Sequence, residues 1–313
     1  MKVGVATHPG RKRRHNEDTY VVEPPLFAVA DGMGGANAGE VASGLAAAAL
    51  KEGSADGSTG EDRVTALIQE ANRRVFRRAS EDREAAGMGT TMTVALVEGD
   101  RVVFGHVGDS RAYLIRTGSI EQLTDDHSLV AELVRSGRLT PEEAEAHPQR
   151  SVITRAVGTE PDVDVDTFAI EPAEGDLFLI CSDGLTDMVD DRSIIEAVEQ
   201  HRDDLDEAAK ALVGAANRVG GEDNITVVFF EVDEGGSDTA VTEQAPALGD
   251  EPDEDTLSGI DAVPAVDTAV VPPDEAAALA EPSKRRGRAL PIVTALAILL
   301  IAAAAVLWLI DNL

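Results

Sequence analysis

The sequence predicts an α+β fold around a largely antiparallel sheet, and two observations predict it. Short β-type runs are joined by tight polar turns: Thr93-Val94-Ala95-Leu96-Val97 passes through Glu98-Gly99-Asp100-Arg101 into Val102-Val103-Phe104, and Tyr113-Leu114-Ile115 precedes Arg116-Thr117-Gly118-Ser119. Such spacing makes antiparallel hairpins. Between the strands, Val64, Leu67, Ile68, Ala71, Val75 and Phe76 recur at helical spacing, as do Leu205, Ala208, Leu212, Val213, Ala216 and Val219. A helix with one apolar stripe needs a sheet face to cover.

Three parts follow one another along the chain. Residues 1–233 carry the mixed strand and helix pattern; 313 residues hold one large domain of this kind plus appendages. No apolar leader precedes Val3-Gly4-Val5-Ala6, so a secretory signal is not expected. The lone cysteine, Cys181, lies in Leu177-Phe178-Leu179-Ile180-Cys181 and is read as a small buried hydrophobe. It lacks the Gly/Arg cradle that activates a nucleophilic thiol. Residues 124–158 are polar, with a short helix expected around Leu129 to Val134.

Residues 234–283 contain 13 Asp/Glu and no Lys/Arg, without sustained apolar periodicity, which predicts an extended, disordered tether. Lys284-Arg285-Arg286-Gly287-Arg288 then leads into residues 289–310, 22 residues without a charge. A helix of that length reaches roughly 33 Å, enough for a hydrocarbon core of about 30 Å. The expectation is a single membrane anchor with residues 1–233 on the cytoplasmic side, because the basic cluster stands on the N-terminal side of the span. A net charge of −31 disfavours nucleic acid, whose phosphates call for a Lys/Arg surplus.

The chemistry is written in acidic turns. Arg13-Arg14-His15-Asn16-Glu17-Asp18 is followed by Asp31-Gly32-Met33-Gly34-Gly35, Gly108-Asp109-Ser110-Arg111, Ser182-Asp183-Gly184-Leu185 and Glu222-Asp223-Asn224-Ile225-Thr226. Carboxylates at the ends of apolar strands, each beside Gly or a small residue, suit hard divalent cations that take oxygen ligands. With Met88-Gly89-Thr90-Thr91 between the second and third acids, their order and wording over residues 3–231 resemble the metal-dependent PP2C family of protein serine/threonine phosphatases, in its bacterial form.

The resemblance implies two stacked antiparallel β-sheets flanked by helices, an α-β-β-α sandwich, and a flap at residues 124–158 beside the active site. It implies two or three Mn²⁺ or Mg²⁺ ions: Asp31 bridging two of them, the Gly32 carbonyl on the second, Asp183 and Asp223 completing the first, and Asp109 holding a third. Glu17 and Asp18 act on the same centre directly or through water. Arg13, three residues before Asn16, stands where the family places the arginine that grips the substrate phosphate, its fork matching two oxygens. Two cations a few ångströms apart neutralise phosphoryl oxygens and acidify a water for in-line attack. Animal members carry His after the Asp-Gly pair as general acid; here it is Met33, which cannot donate a proton. His15, His106 and His127 are nearby in sequence, each more simply read as structural.

The implied partners are phosphorylated proteins, with a membrane-associated Ser/Thr kinase or its substrates as the natural associates. Two rival readings stay open: a phosphoprotein-binding pseudoenzyme, and hydrolysis of small phosphorylated metabolites or diesters by the same centre.

Overall fold

The computed structural model describes residues 1–34, 38–53 and 58–232, and the backbone of 269–270. The expected tether and anchor otherwise lie outside the described residues. No helix among the described residues is long and apolar enough to cross a membrane.

The chain opens with β1 (Lys2–His8), β2 (Asp18–Glu23) and β3 (Leu26–Met33), then α1 (Ala38–Glu52) and α2 (Gly60–Glu81). Next come β4 (Gly89–Thr90), β5 (Met92–Glu98), β6 (Arg101–Val107), β7 (Arg111–Arg116) and β8 (Ser119–Gln122). The flap segment holds α3 (Leu129–Arg135), α4 (Pro141–Glu145) and β9 (Val152–Ile153). The chain continues through β10 (Asp166–Ile170), β11 (Leu177–Cys181), α5 (Asp183–Thr186), α6 (Asp191–Gln200), α7 (Leu205–Val219) and β12 (Ile225–Glu231). A short β13 (Ala269–Val270) runs parallel beside β9.

Two antiparallel sheets stack, one in the order β1-β12-β11-β7-β8 and the other β10-β6-β5-β3-β2. Both predicted hairpins form, β5 with β6 and β7 with β8, and Thr117 and Gly118 take the positive φ values, 47° and 75°, that a tight hairpin turn needs. Each sheet is covered on both faces, which is why its central strands read as unbroken apolar runs. In β11, Phe178 and Ile180 point into the space between the sheets with Phe27, Phe104 and Phe230, whereas Leu177, Leu179 and Cys181 face the helices. Phe27 and Phe230 stack across the two sheets at 4.3 Å between ring centres. The apolar stripe of α2 packs on one outer face, and that of α7 on the other. Cys181 is fully buried and its thiol is pushed up to about 12 by burial, so it packs and does not react.

Candidate active site

Strand register brings the acidic turns to one end of the sandwich. Asp18 and Asp31 are direct cross-strand neighbours on β2 and β3. Cys181 is opposite Val227, so Asp183, just after β11, and Asp223, just before β12, leave the other sheet side by side. A Cβ on Gly184 would stand 2.1 Å from the Asn224 carbonyl oxygen; glycine is what lets these two turns touch. Asp109 sits in the turn from β6 to β7.

Hydrogen bonds fix each turn. Asp18 Oδ2 accepts from Ser182 Oγ at 2.8 Å and Thr226 Oγ1 at 2.6 Å, both from the opposite sheet. The Asp31 backbone is clamped by the Gly-Thr-Thr turn: its carbonyl accepts from the Thr91 amide at 2.9 Å and from Thr90 Oγ1 at 2.8 Å, and its amide donates to Thr91 Oγ1 at 2.9 Å. Gly32 is wedged against α1, where a Cβ would stand 2.1 Å from the Gly39 carbonyl oxygen. The Glu17 amide donates to Asn224 Oδ1 at 2.8 Å, and its carboxyl group packs at the start of α1.

The electrostatics show what the cluster is built to hold. Asp31 is pushed well above the usual carboxylate range by burial and then by the charges of Asp18, Asp183, Asp223 and Asp109. Asp183 is raised in the same way, by burial and then by Asp109, Asp223, Asp187 and Asp18. Burial also lifts Asp109 to about 7 and Asp18 to about 6. One oxygen each of Asp18 and Asp183 is buried without a hydrogen-bond partner. Among the described residues no three His, Cys, Asp or Glu side chains form a ready-made coordination sphere. Clustered oxygen donors that repel one another and keep unmatched lone pairs nevertheless fit hard divalent cations, which would cancel the repulsion.

Arg13 joins this group. Its Nη2 donates to Asp223 Oδ2 at 2.7 Å, and its side chain is 19 % exposed. Arg11 and Arg14 are exposed, and Lys12 pairs with Glu222 at 2.7 Å, so burial singles out Arg13 where the basic run alone does not.

A family description, protein phosphatase 2C, matches residues 11–217. The chain belongs to the protein phosphatase 2C family. The serine/threonine phosphatase Stp of Listeria welshimeri is 42 % identical over 242 residues, covering 74 % of this chain and 96 % of that protein. The phosphatase PstP of Mycobacterium tuberculosis is 41 % identical over 234 residues, covering 74 % of this chain and 45 % of PstP. Among solved structures, M. tuberculosis PstP/Ppp has a TM-score of 0.70 at 40 % identity, covering 74 % of this chain and 99 % of that one. The PstP catalytic domain in complex with two manganese ions has a TM-score of 0.67 at 39 % identity, covering 73 % and 96 %.

Within this family's architecture Met33 has a definite place. It is 6 % exposed and packs on Ile153 and Ala156, so it secures the base of the flap. The flap and α5 together border a cavity of about 1150 Å³ whose walls include Asp109, Asp183, Asp187, Val130, Val134 and Arg150. His106 is structural, its ring nitrogens meeting Thr93 Oγ1 at 2.9 Å and the Asp125 carbonyl at 3.1 Å. Sequence reasoning missed Ser182, Thr226 and Asn224 as supports of the acids. Their signal was adjacency: each stands next to, or within three residues of, a predicted site carboxylate.

Proposed function

We propose that the chain is a metal-dependent protein serine/threonine phosphatase that hydrolyses phosphoserine and phosphothreonine. The observation that carries this is the gathering of Asp18, Asp31, Asp109, Asp183 and Asp223 at one end of the sandwich, in mutual charge contact. Asp31 would bridge two cations, with the Gly32 carbonyl, Asp183 and Asp223 as further ligands, Asp109 on a third, and Glu17 and Asp18 bound directly or through water. When bound, Mn²⁺ or Mg²⁺ supplies positive charge to the phosphoryl oxygens and acidifies a water. Arg13 orients the phosphate with its fork, the Thr90–Thr91 clamp holds Asp31 in place, and the flap borders the groove that receives the peptide.

The test is phosphate release from a phosphothreonine peptide by the full-length chain in Mn²⁺ and in EDTA, beside a small phosphate ester. Metal-dependent release with a higher kcat/KM on the peptide supports the proposal. Binding without release would mean a pseudoenzyme, and a preference for the small ester a metabolite phosphoesterase. Arg13→Ala is expected to raise KM for the peptide about tenfold, because it removes a contact made before and during reaction. Unchanged KM and kcat would move the role to another base of the run.

Residues 1–233 act as the catalytic domain, 234–283 as an acidic tether and 284–313 as basic cluster and single-pass anchor, with the phosphatase on the cytoplasmic side acting on proteins phosphorylated by a membrane-associated Ser/Thr kinase. The support is the charge pattern and the uncharged 22-residue run. Deleting residues 284–313 should release the enzyme from membranes with peptide turnover unchanged. Fractionation and protease protection of the full-length chain check this: a soluble protein removes the anchor, and an externally shielded domain reverses its orientation.

A further inference from the structure

We propose that His127 is a positioning residue for this reaction: its imidazole and amide fix the Gly108-Asp109 turn, and through it the carboxylate that Asp109 offers to a cation. The inference rests on the reading of Asp109 as a ligand.

His127 grips Gly108 from both sides. The His127 amide donates to the Gly108 carbonyl at 2.8 Å, and the Gly108 amide donates to His127 Nδ1 at 3.0 Å. Because Nδ1 accepts, the ring proton belongs on Nε2, where it donates to Asp166 Oδ2 at 3.0 Å. Asp166 is held in turn by Arg155 Nη1, which donates to its Oδ1 at 2.6 Å and stands 3.1 Å from His127 Nε2. The ring is 3 % exposed and packs on His106 at 4.8 Å between centres. Burial, then the charge of Arg155, lowers the His127 pKa, in keeping with a neutral ring that accepts at Nδ1.

The rest of the turn is pinned from the strands. Gly108 has φ +112°, and a Cβ there would stand 2.6 Å from the Thr91 side chain. Ser110 Oγ lies 2.7 Å from Thr91 Oγ1, and the Ser110 carbonyl accepts from Thr93 Oγ1 at 2.7 Å. Asp109 is thus held between a residue fixed by the Thr-Thr run and one fixed by His127. Residues that orient a ligand in this way, without touching the ion, set metal affinity.

Geometry makes the test specific. Asparagine places an oxygen close to the position of Nδ1 and can accept from Gly108. Glutamine reaches toward Asp166 but leaves Gly108 without its acceptor. Mn²⁺ titration by calorimetry on the full-length chain should show His127→Ala and His127→Gln weakening the weakest Mn²⁺ site by about tenfold or more, with the tighter sites unmoved, and His127→Asn staying within about threefold of wild type. In parallel, kcat at limiting Mn²⁺ should fall in His127→Gln and recover in excess Mn²⁺. Equal weak-site affinity in wild type and His127→Gln overturns the inference, as does an equal loss in the Asn and Gln variants. Asp109→Asn separates the two levels. If it abolishes the weak site while His127→Gln does not, the positioning role alone is wrong; if it leaves the weak site intact, the reading of Asp109 falls and the inference with it.

Discussion

Asp31→Asn is expected to cut phosphopeptide turnover by about a hundredfold or more in Mn²⁺, while its metal-free form melts at a higher temperature than metal-free wild type at pH 7. The two halves have one cause. Asp31 stands at the focus of four other carboxylates, whose charges push its own pKa up. A neutral amide of the same shape removes that repulsion, and the backbone clamp from Thr90 and Thr91 is untouched. The same substitution removes the charge that would bridge two cations. Asp183→Asn should behave alike, since Asp183 is raised by burial and by Asp109, Asp223, Asp187 and Asp18. Thermal unfolding in EDTA and turnover in Mn²⁺ on the same preparation check both halves; near wild-type turnover in either variant would remove that residue from the centre.

The second large effect is the stabilisation by Mn²⁺ and its decline with acid. Asp18 at about 6 and Asp109 at about 7 lie above the roughly 3.9 of an unfolded aspartate. Between those values the folded state binds more protons than the unfolded one, so these groups contribute stability that is fully present below about pH 4 and is lost as pH rises through about 7. His106, lowered to about 3 by burial, works in the opposite direction up to the unfolded histidine value. It contributes equally with and without metal, so the difference between the two conditions isolates the carboxylates. At a hundred times its Kd, a bound cation adds about 2.7 kcal/mol. Because protons compete for the same oxygens, the rise in Tm on adding Mn²⁺ should be larger at pH 7 than at pH 5. A rise that is equal or greater at pH 5 would place the metal elsewhere.

Much of this was legible in the residues. The hairpin turns at Gly99 and Gly118 and the stripes of α2 and α7 are local signals, and local signals survive without a fold. Helix α1 was not read, because its run of alanines and glycines is small on every side and marks no face. The pairing of β1 with β12 was equally hidden, since it joins the two ends of the domain and leaves no mark on either strand alone. In the site, the acidic turns were readable because each motif is contiguous, whereas the supports of Asp18 come from Ser182 and Thr226, far along the chain. Arg13 could be told from Arg11 and Arg14 by register but not by chemistry; the difference is burial, which only the fold supplies.

Asp18 and Asp31 belong to one sheet, Asp183 and Asp223 lie in turns at the end of the other, and the two hydroxyls that reach Asp18 join them. The proposed metal centre is therefore a seam between two halves and belongs to neither. Slippage of one layer over the other by a fraction of an ångström would leave every strand intact and every helix seated, yet misalign the oxygens that face each other across the join. Loss of activity on warming should accordingly run ahead of loss of secondary structure, and divalent ions held by carboxylates from both layers would act as a clasp on their register.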